Sequence, residues 1–145
     1  MELDHMFLGS LNRLFNEILT MEQKVILRNE YSNLTNNDLR VINAIGIDQP
    51  KNMSMVAKAM SVTVGTLTIA INNLVKKGYV LRVRSTEDRR VVLLSLSASG
   101  RDVYRMNKKF HEEMAAAAVE GLDEEQCRVL ENALTNLYTF LKEQG

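Results

Sequence analysis

The hydrophobic period of the chain changes twice between Met53 and Gly100, and the other elements are arranged around that stretch. Helical spacing covers Met53 to Met60, breaks at Ser61-Val62, and resumes with Leu67, Ile71, Leu74 and Val75 at steps of three and four. Thr63 stands where an N-cap is needed. Lys76-Lys77-Gly78 closes the helix with cations on its negative end and a glycine suited to the left-handed C′ position. The period then shortens. Tyr79 to Arg84 and Val91 to Leu96 are β-rich runs around the polar loop Ser85-Thr86-Glu87-Asp88-Arg89-Arg90, the pattern of a hairpin. Helix, turn, helix and hairpin in this order predict a winged helix-turn-helix lobe over about residues 35–100.

Long helices flank the lobe. From Leu3 to Leu27, the residues Phe7, Leu11, Leu14, Ile18, Met21 and Val25 share one face. After a break at Asn29 to Asn33, Thr35 and Asp38 form a capping-box pattern ahead of Leu39, Ile42 and Ile45, and Gly46 to Pro50 ends that short helix. Beyond the hairpin, Ser97 or Ser99 caps a long helix through Tyr104, Met106, Phe110, Met114 and the Ala115 to Ala118 run, ending near Gly121. Asp123 caps a last helix striped by Cys127, Leu130, Leu134, Leu137 and Leu141, the spacing of a coiled-coil seam. The expected fold is mainly α: four helices, a β wing and two more helices in a single domain over residues 1–145. The flanking helices, about 3–28 and 98–143, carry more apolar surface than a lobe of roughly 50 residues needs, which points to a homodimer built from both termini.

Composition sharpens this picture through the distribution of charge. The net charge is zero, yet residues 51–109 hold twelve Lys and Arg against three Asp and Glu, and the remainder holds six against fifteen. One sector is therefore at +9 and the rest at −9, and a duplex is the anion that such a patch suits best, because each neutralised phosphate releases counterions. One cysteine and two histidines offer no disulfide and no zinc cluster, so no cofactor or metal is expected. The N-terminus has no signal-peptide pattern and no apolar run nears the roughly 20 residues that span a bilayer, so a soluble cytoplasmic protein without membrane contact is expected. No glycine-rich phosphate loop or nucleophile elbow suggests an enzyme.

With Leu67, Ile71, Leu74 and Val75 inward, Gly65, Ile69, Asn72, Asn73 and Lys76 face outward, with Thr66 and Thr68 on the flanks and Thr63 at the start. Asparagine can pair with adenine, threonine can reach bases or phosphates, and an exposed Ile69 suits a thymine methyl. A solvated face with one stray isoleucine has the same pattern, but the charge segregation favours DNA. In the hairpin, Arg82, Arg84, Arg89 and Arg90 cluster around Ser85 and Asp88. An arginine-bearing tip suits a minor groove, and Asp88 suits pairing with a neighbouring arginine, which is also how a purely structural surface pair would look.

The runs Val64-Gly65-Thr66-Leu67-Thr68 and Asn73-Leu74-Val75-Lys76-Lys77-Gly78-Tyr79-Val80, then Arg82, Arg84-Ser85, Asp88-Arg89-Arg90, Leu96-Ser97 and Gly100-Arg101, resemble the MarR family of bacterial transcription regulators over nearly the whole chain. The resemblance implies a dimer on double-stranded DNA with Asp88 and Arg90 on the wing, Arg90 being the leading minor-groove residue and Arg89 the second. Ser97 replaces the family's usual threonine and keeps a hydroxyl cap. Lys108-Lys109-Phe110-His111, Gly121-Leu122-Asp123-Glu124-Glu125 and Thr135-Asn136-Leu137-Tyr138-Thr139-Phe140-Leu141 further resemble the FabT group, repressors of fatty acid synthesis genes. That likeness implies acyl-acyl carrier protein as corepressor. Arg101, Arg105, Lys108 and Lys109 line one helix side and can receive an acidic carrier, while Phe15, Leu19, Ile42 and Met106 can line an acyl channel. The same residues also fit a solvated face, or further phosphate contacts, and ordinary core. A small aromatic ligand that releases DNA, and a winged-helix protein-interaction module, are the other readings; Cys127, on the stripe of the last helix, fits an inert core residue better than a peroxide sensor.

Overall fold

The computed structural model describes residues 2–27, 31 and 33–145. The elements are α1 (Glu2–Leu27), α2 (Asn36–Ile45), β1 (Lys51–Asn52), α3 (Met53–Met60), α4 (Val64–Lys77), β2 (Val80–Arg84), β3 (Val92–Leu96), α5 (Ala98–Val119) and α6 (Glu124–Gln144). This is a mainly helical winged helix-turn-helix. The expected break at Asn29 to Asn33 falls largely outside the described residues. The chain divides into two compact units, Met1–Phe110 and His111–Gly145.

In the first unit the starts of α2, α3 and α4 are each set by a local side chain. Thr35 Oγ1 accepts from Asp38 N at 3.1 Å and Asp38 Oδ2 accepts from Thr35 N at 3.0 Å, closing the capping box of α2. Asn52 Oδ1 accepts from Met55 N at 2.8 Å to start α3, and Thr63 Oγ1 accepts from Thr66 N at 3.1 Å to start α4. Gly78 ends α4 in the left-handed region at φ 88°, where a side chain would be strained. The turn before α4 uses Ser61 at φ 56°, and α3 and α4 meet at 105°, within the range of a helix-turn-helix.

These elements close over Leu39, Val41, Ile42, Ile45, Val56, Leu67, Ile71, Leu74, Leu94 and Val103, all essentially solvent-free. Val75 is only half-buried, at the edge of the inward stripe of α4. The sheet has three strands where two were expected, in the antiparallel order β1-β3-β2. The extra strand is two residues long, pairing Lys51 with Leu94 and Asn52 with Leu93, and so short a run carries no readable alternation. Ile42 sits at 0% exposure in the core while Phe15 is 64% exposed. Ile42 packs in the core, on the same buried face of α2 as Leu39 and Ile45.

A charged pair ties the end of α4 to the start of α2. Lys77 Nζ donates to Asp38 Oδ2 at 2.9 Å and to Asn33 O at 2.7 Å, and the Asp38 side chain is 9% exposed. Tyr79 OH donates to Asn33 Oδ1 at 2.8 Å, and burial together with nearby Asp38 raises the Tyr79 phenol above its ordinary range. Replacing Lys77 with Met should cost about 2 kcal/mol of folding stability, because the buried Asp38 carboxylate loses its charge-assisted partner. Denaturant titration of the variant checks this.

Two apolar faces stand apart from the core. On α1, Phe7 and Leu14 of the expected stripe are 60% and 59% exposed, and Leu3, Met6 and Leu8 are exposed beside them. In the second unit, α6 starts at an Asp123–Gln126 capping box and buries no residue; Leu134 and Leu141 of its stripe are 53% and 58% exposed. Cys127 is therefore half-buried rather than a core residue: it lines a groove of about 520 Å³ with Ala115, Ala118, Leu130 and Leu134.

Candidate nucleic-acid interface

From residue 51 to 86 the chain carries six Lys and Arg and no Asp or Glu. This run includes all of α3, α4 and β2, which therefore carry no acidic residue, their cations being Lys58, Lys76, Lys77, Arg82 and Arg84. Along α4, Gly65, Thr66, Ile69, Asn72, Asn73 and Lys76 are exposed and Thr68 is half-buried, as the 100° stepping predicts. Ile69 is 66% exposed, and Val64, outside the outward set that helical spacing predicts, is 45% exposed at the first turn. A Cβ added at Gly65 would meet nothing nearer than Thr63 Oγ1 at 4.0 Å, so internal packing does not require glycine there. The opening turn of α4 is bare of side chain at this position.

The hydroxyls are partly engaged within the helix. Thr68 Oγ1 donates to Val64 O at 2.8 Å, and Thr63 and Thr66 hydroxyls lie 3.0 Å apart. Their remaining lone pairs stay available to an incoming donor.

The wing is built by its own side chains. Ser85 N donates to Val91 O at 2.9 Å to close the hairpin, and Ser85 Oγ accepts from Glu87 N at 3.2 Å. Arg84 Nη1 donates to Arg89 O at 2.9 Å, bracing the loop from its root. Asp88 then fixes the tip: Arg90 Nε donates to Asp88 Oδ1 and Arg90 Nη2 to Asp88 Oδ2, each at 3.1 Å, while Arg90 N also donates to Oδ1. The Arg90 side chain remains 91% exposed. The aspartate thus holds the guanidinium in one pose without hiding it, which pre-organises a contact otherwise costly in side-chain entropy.

The hydrogen bonds from Arg90 hold the Asp88 carboxyl below its ordinary value. A depressed carboxylate keeps its contribution above the unfolded value and loses it only as pH falls through the lower folded one. The Arg90 Nε–H resonance should therefore stay in its bonded position as pH drops through the usual carboxylate range, about 4, and shift only below it.

Arg82 belongs to a different place from the tip. On β2 it pairs in register with Leu94, on the sheet face that carries Val80 and Leu96 into the core, and its Nη1 donates to Asn72 Oδ1 on α4. Spacing alone gave no sign of this link, since the residues sit on different elements. Arg101 and Arg105 are exposed on α5, where Arg105 lies 3.9 Å from Asp102, and Met106 packs against the core. Among the described residues no cluster of His, Cys, Asp and Glu converges to hold a metal, and no single helix is long and apolar enough to cross a membrane.

A bare-fronted polar helix set behind a right-angled turn and beside an arginine-tipped hairpin defines the winged helix-turn-helix class of transcriptional regulators. The match to the family "Transcriptional regulator SarA/Rot" covers residues 18–106. The crystal structure of Streptococcus pneumoniae FabT in complex with DNA superposes with a TM-score of 0.87 at 36% identity, covering 97% of this chain and 99% of FabT. Staphylococcus aureus MarR, solved with salicylate and kanamycin, shares the fold at 16% identity and a TM-score of 0.74, over 100% of this chain and 96% of that one. The regulator SarZ of Staphylococcus saprophyticus is 35% identical over 63 residues, 43% of each protein, so the match spans less than half of SarZ. The chain belongs to the SarA/Rot family of MarR-like transcriptional regulators, on its FabT-like branch.

Proposed function

We propose that this chain is a homodimeric repressor that binds a pseudo-palindromic, A·T-rich operator. The recognition helix α4 of each copy enters a major groove about one helical turn from the other, and each wing lies in the adjoining minor groove. The observation that carries this reading is the pose of Arg90, held by Asp88 yet 91% exposed at the tip of a hairpin beside the acid-free run. The apolar faces of α1 and α6, each exposed in the single chain, support a second copy as the partner that covers them. In this reading the flanking helices are the dimerisation part and residues 35–100 the DNA-binding part.

The regulated genes in this proposal are those of fatty acid synthesis, with long-chain acyl-acyl carrier protein as corepressor. The likeness to FabT supports it, and so do Arg101 and Arg105, exposed on α5 in the basic stripe that includes Lys108 and Lys109. Among the apolar candidates, Phe15 is exposed, and Leu19 and Met106 are half-buried. Titrating acylated against unloaded carrier protein into an operator-binding assay tests the proposal. The acylated form should tighten DNA binding by roughly fivefold or more. Equal effects would remove the acyl corepressor and leave the DNA reading. Release of DNA by a small aromatic compound would favour the alternative effector, and no binding to any duplex would remove both.

A further inference from the structure

The link between Arg82 and Asn72 changes what the recognition helix can read. A guanidinium has five donors and no acceptor, so only the oxygen of the Asn72 amide can face it. The amide orientation is therefore settled by chemistry: Oδ1 turns toward β2 and the Nδ2 donors turn away from it. Both side chains are exposed, on the outer face of α4 and on the solvent end of the core-facing side of β2. An asparagine that pairs with adenine must accept from N6–H through Oδ1 while donating to N7 through Nδ2. With Oδ1 engaged by Arg82, one of its two lone pairs is used, and the pair presents more donors than acceptors: Nδ2 and the remaining guanidinium N–H groups against a single lone pair.

We infer that Arg82 is a positioning residue that converts Asn72 from an adenine reader into a reader of acceptor edges, so that each operator half-site carries guanine opposite Asn72. This rests on the proposal that α4 reads DNA, and refines which bases it takes. Guanine presents two acceptors, O6 and N7, in the major groove and no donor, which suits the Nδ2 group together with a neighbouring Arg82 N–H not used by Asn72. Adenine places its N6–H₂ donor where guanine has O6, and there it meets the donors of both side chains against one remaining lone pair. Arg82 thus acts from the base of the wing, separately from the minor-groove role of Arg90.

Selection from a random duplex library with the full-length protein tests this. The wild type should enrich one symmetric guanine position per half-site by roughly tenfold over adenine. Arg82→Ala frees Oδ1, so that position should move toward adenine while the other positions and the half-site spacing stay the same. Asn72→Asp keeps a partner for Arg82 but replaces the donors with acceptors, so guanine should be lost there in favour of cytosine or adenine. A wild-type motif with adenine at that position, or an Arg82→Ala motif identical to that of the wild type, would overturn the inference while leaving DNA binding intact. Enrichment of no sequence by the wild type would instead sink the DNA reading on which it rests. Thermal unfolding of both variants should match the wild type, since neither side chain is in the core.

Discussion

Replacing Gly100 with alanine should destabilise the fold by about 3 kcal/mol, the upper end of overpacking costs. A Cβ built there falls 2.2 Å from Tyr79 O and 3.2 Å from Leu96 Cβ. The first of these is backbone, and it cannot swing away as a side chain would. The same carbonyl accepts from Ser97 N at 3.0 Å, Ser97 Oγ donates to Gly78 O at 2.6 Å, and Gly100 N donates to Ser97 Oγ at 3.1 Å. The start of α5 is therefore clamped onto the junction where α4 turns into β2. Opening that clamp displaces the recognition helix relative to the wing, so operator affinity should fall along with stability. Calorimetry should show a melting temperature lowered by roughly 10 °C. Unchanged stability would mean that the close approach is not maintained in solution.

The second large effect is expected at the wing. Arg90→Ala should weaken operator binding by roughly tenfold to hundredfold with little change in stability, because Arg90 is nearly all exposed and its bonds are confined to the tip. Asp88→Ala tests the mechanism separately. It removes a negative charge, which by electrostatics alone would tighten binding to DNA, but it also frees the guanidinium to wander. If the pose matters, Asp88→Ala binds more weakly than wild type despite its more favourable charge; tighter binding would reduce Asp88 to a surface partner of no functional weight.

The features readable from the sequence were the local ones. The Thr35–Asp38 box, the Thr63 cap, the Gly78 C′ residue and the Asp88–Arg90 pair all act over two or three residues, so spacing exposes them directly. The periods of α4 and the hairpin were equally legible, because alternation and helical stepping each repeat several times. What the sequence does not reveal depends on the fold bringing distant residues together. Lys77 meets Asp38 across 39 positions, and Arg82 meets Asn72 between a strand and a helix. The need for glycine at position 100 exists only because Tyr79 O lies against it. The two-residue β1 is too short to show a pattern at all. The apolar stripes of α1 and α6 were found, but a stripe does not say whether its cover is the same chain or another, and in the single chain both stand exposed.

The most direct measurement of the central claim is the salt dependence of operator affinity for the wild type and for Arg90→Ala. If the basic lobe and wing engage phosphates as proposed, log affinity should fall linearly with log salt, at about 0.9 per neutralised phosphate, and the Arg90→Ala slope should be shallower by about one. A wild-type affinity indifferent to salt would contradict the account, as would a slope left unchanged by removal of Arg90.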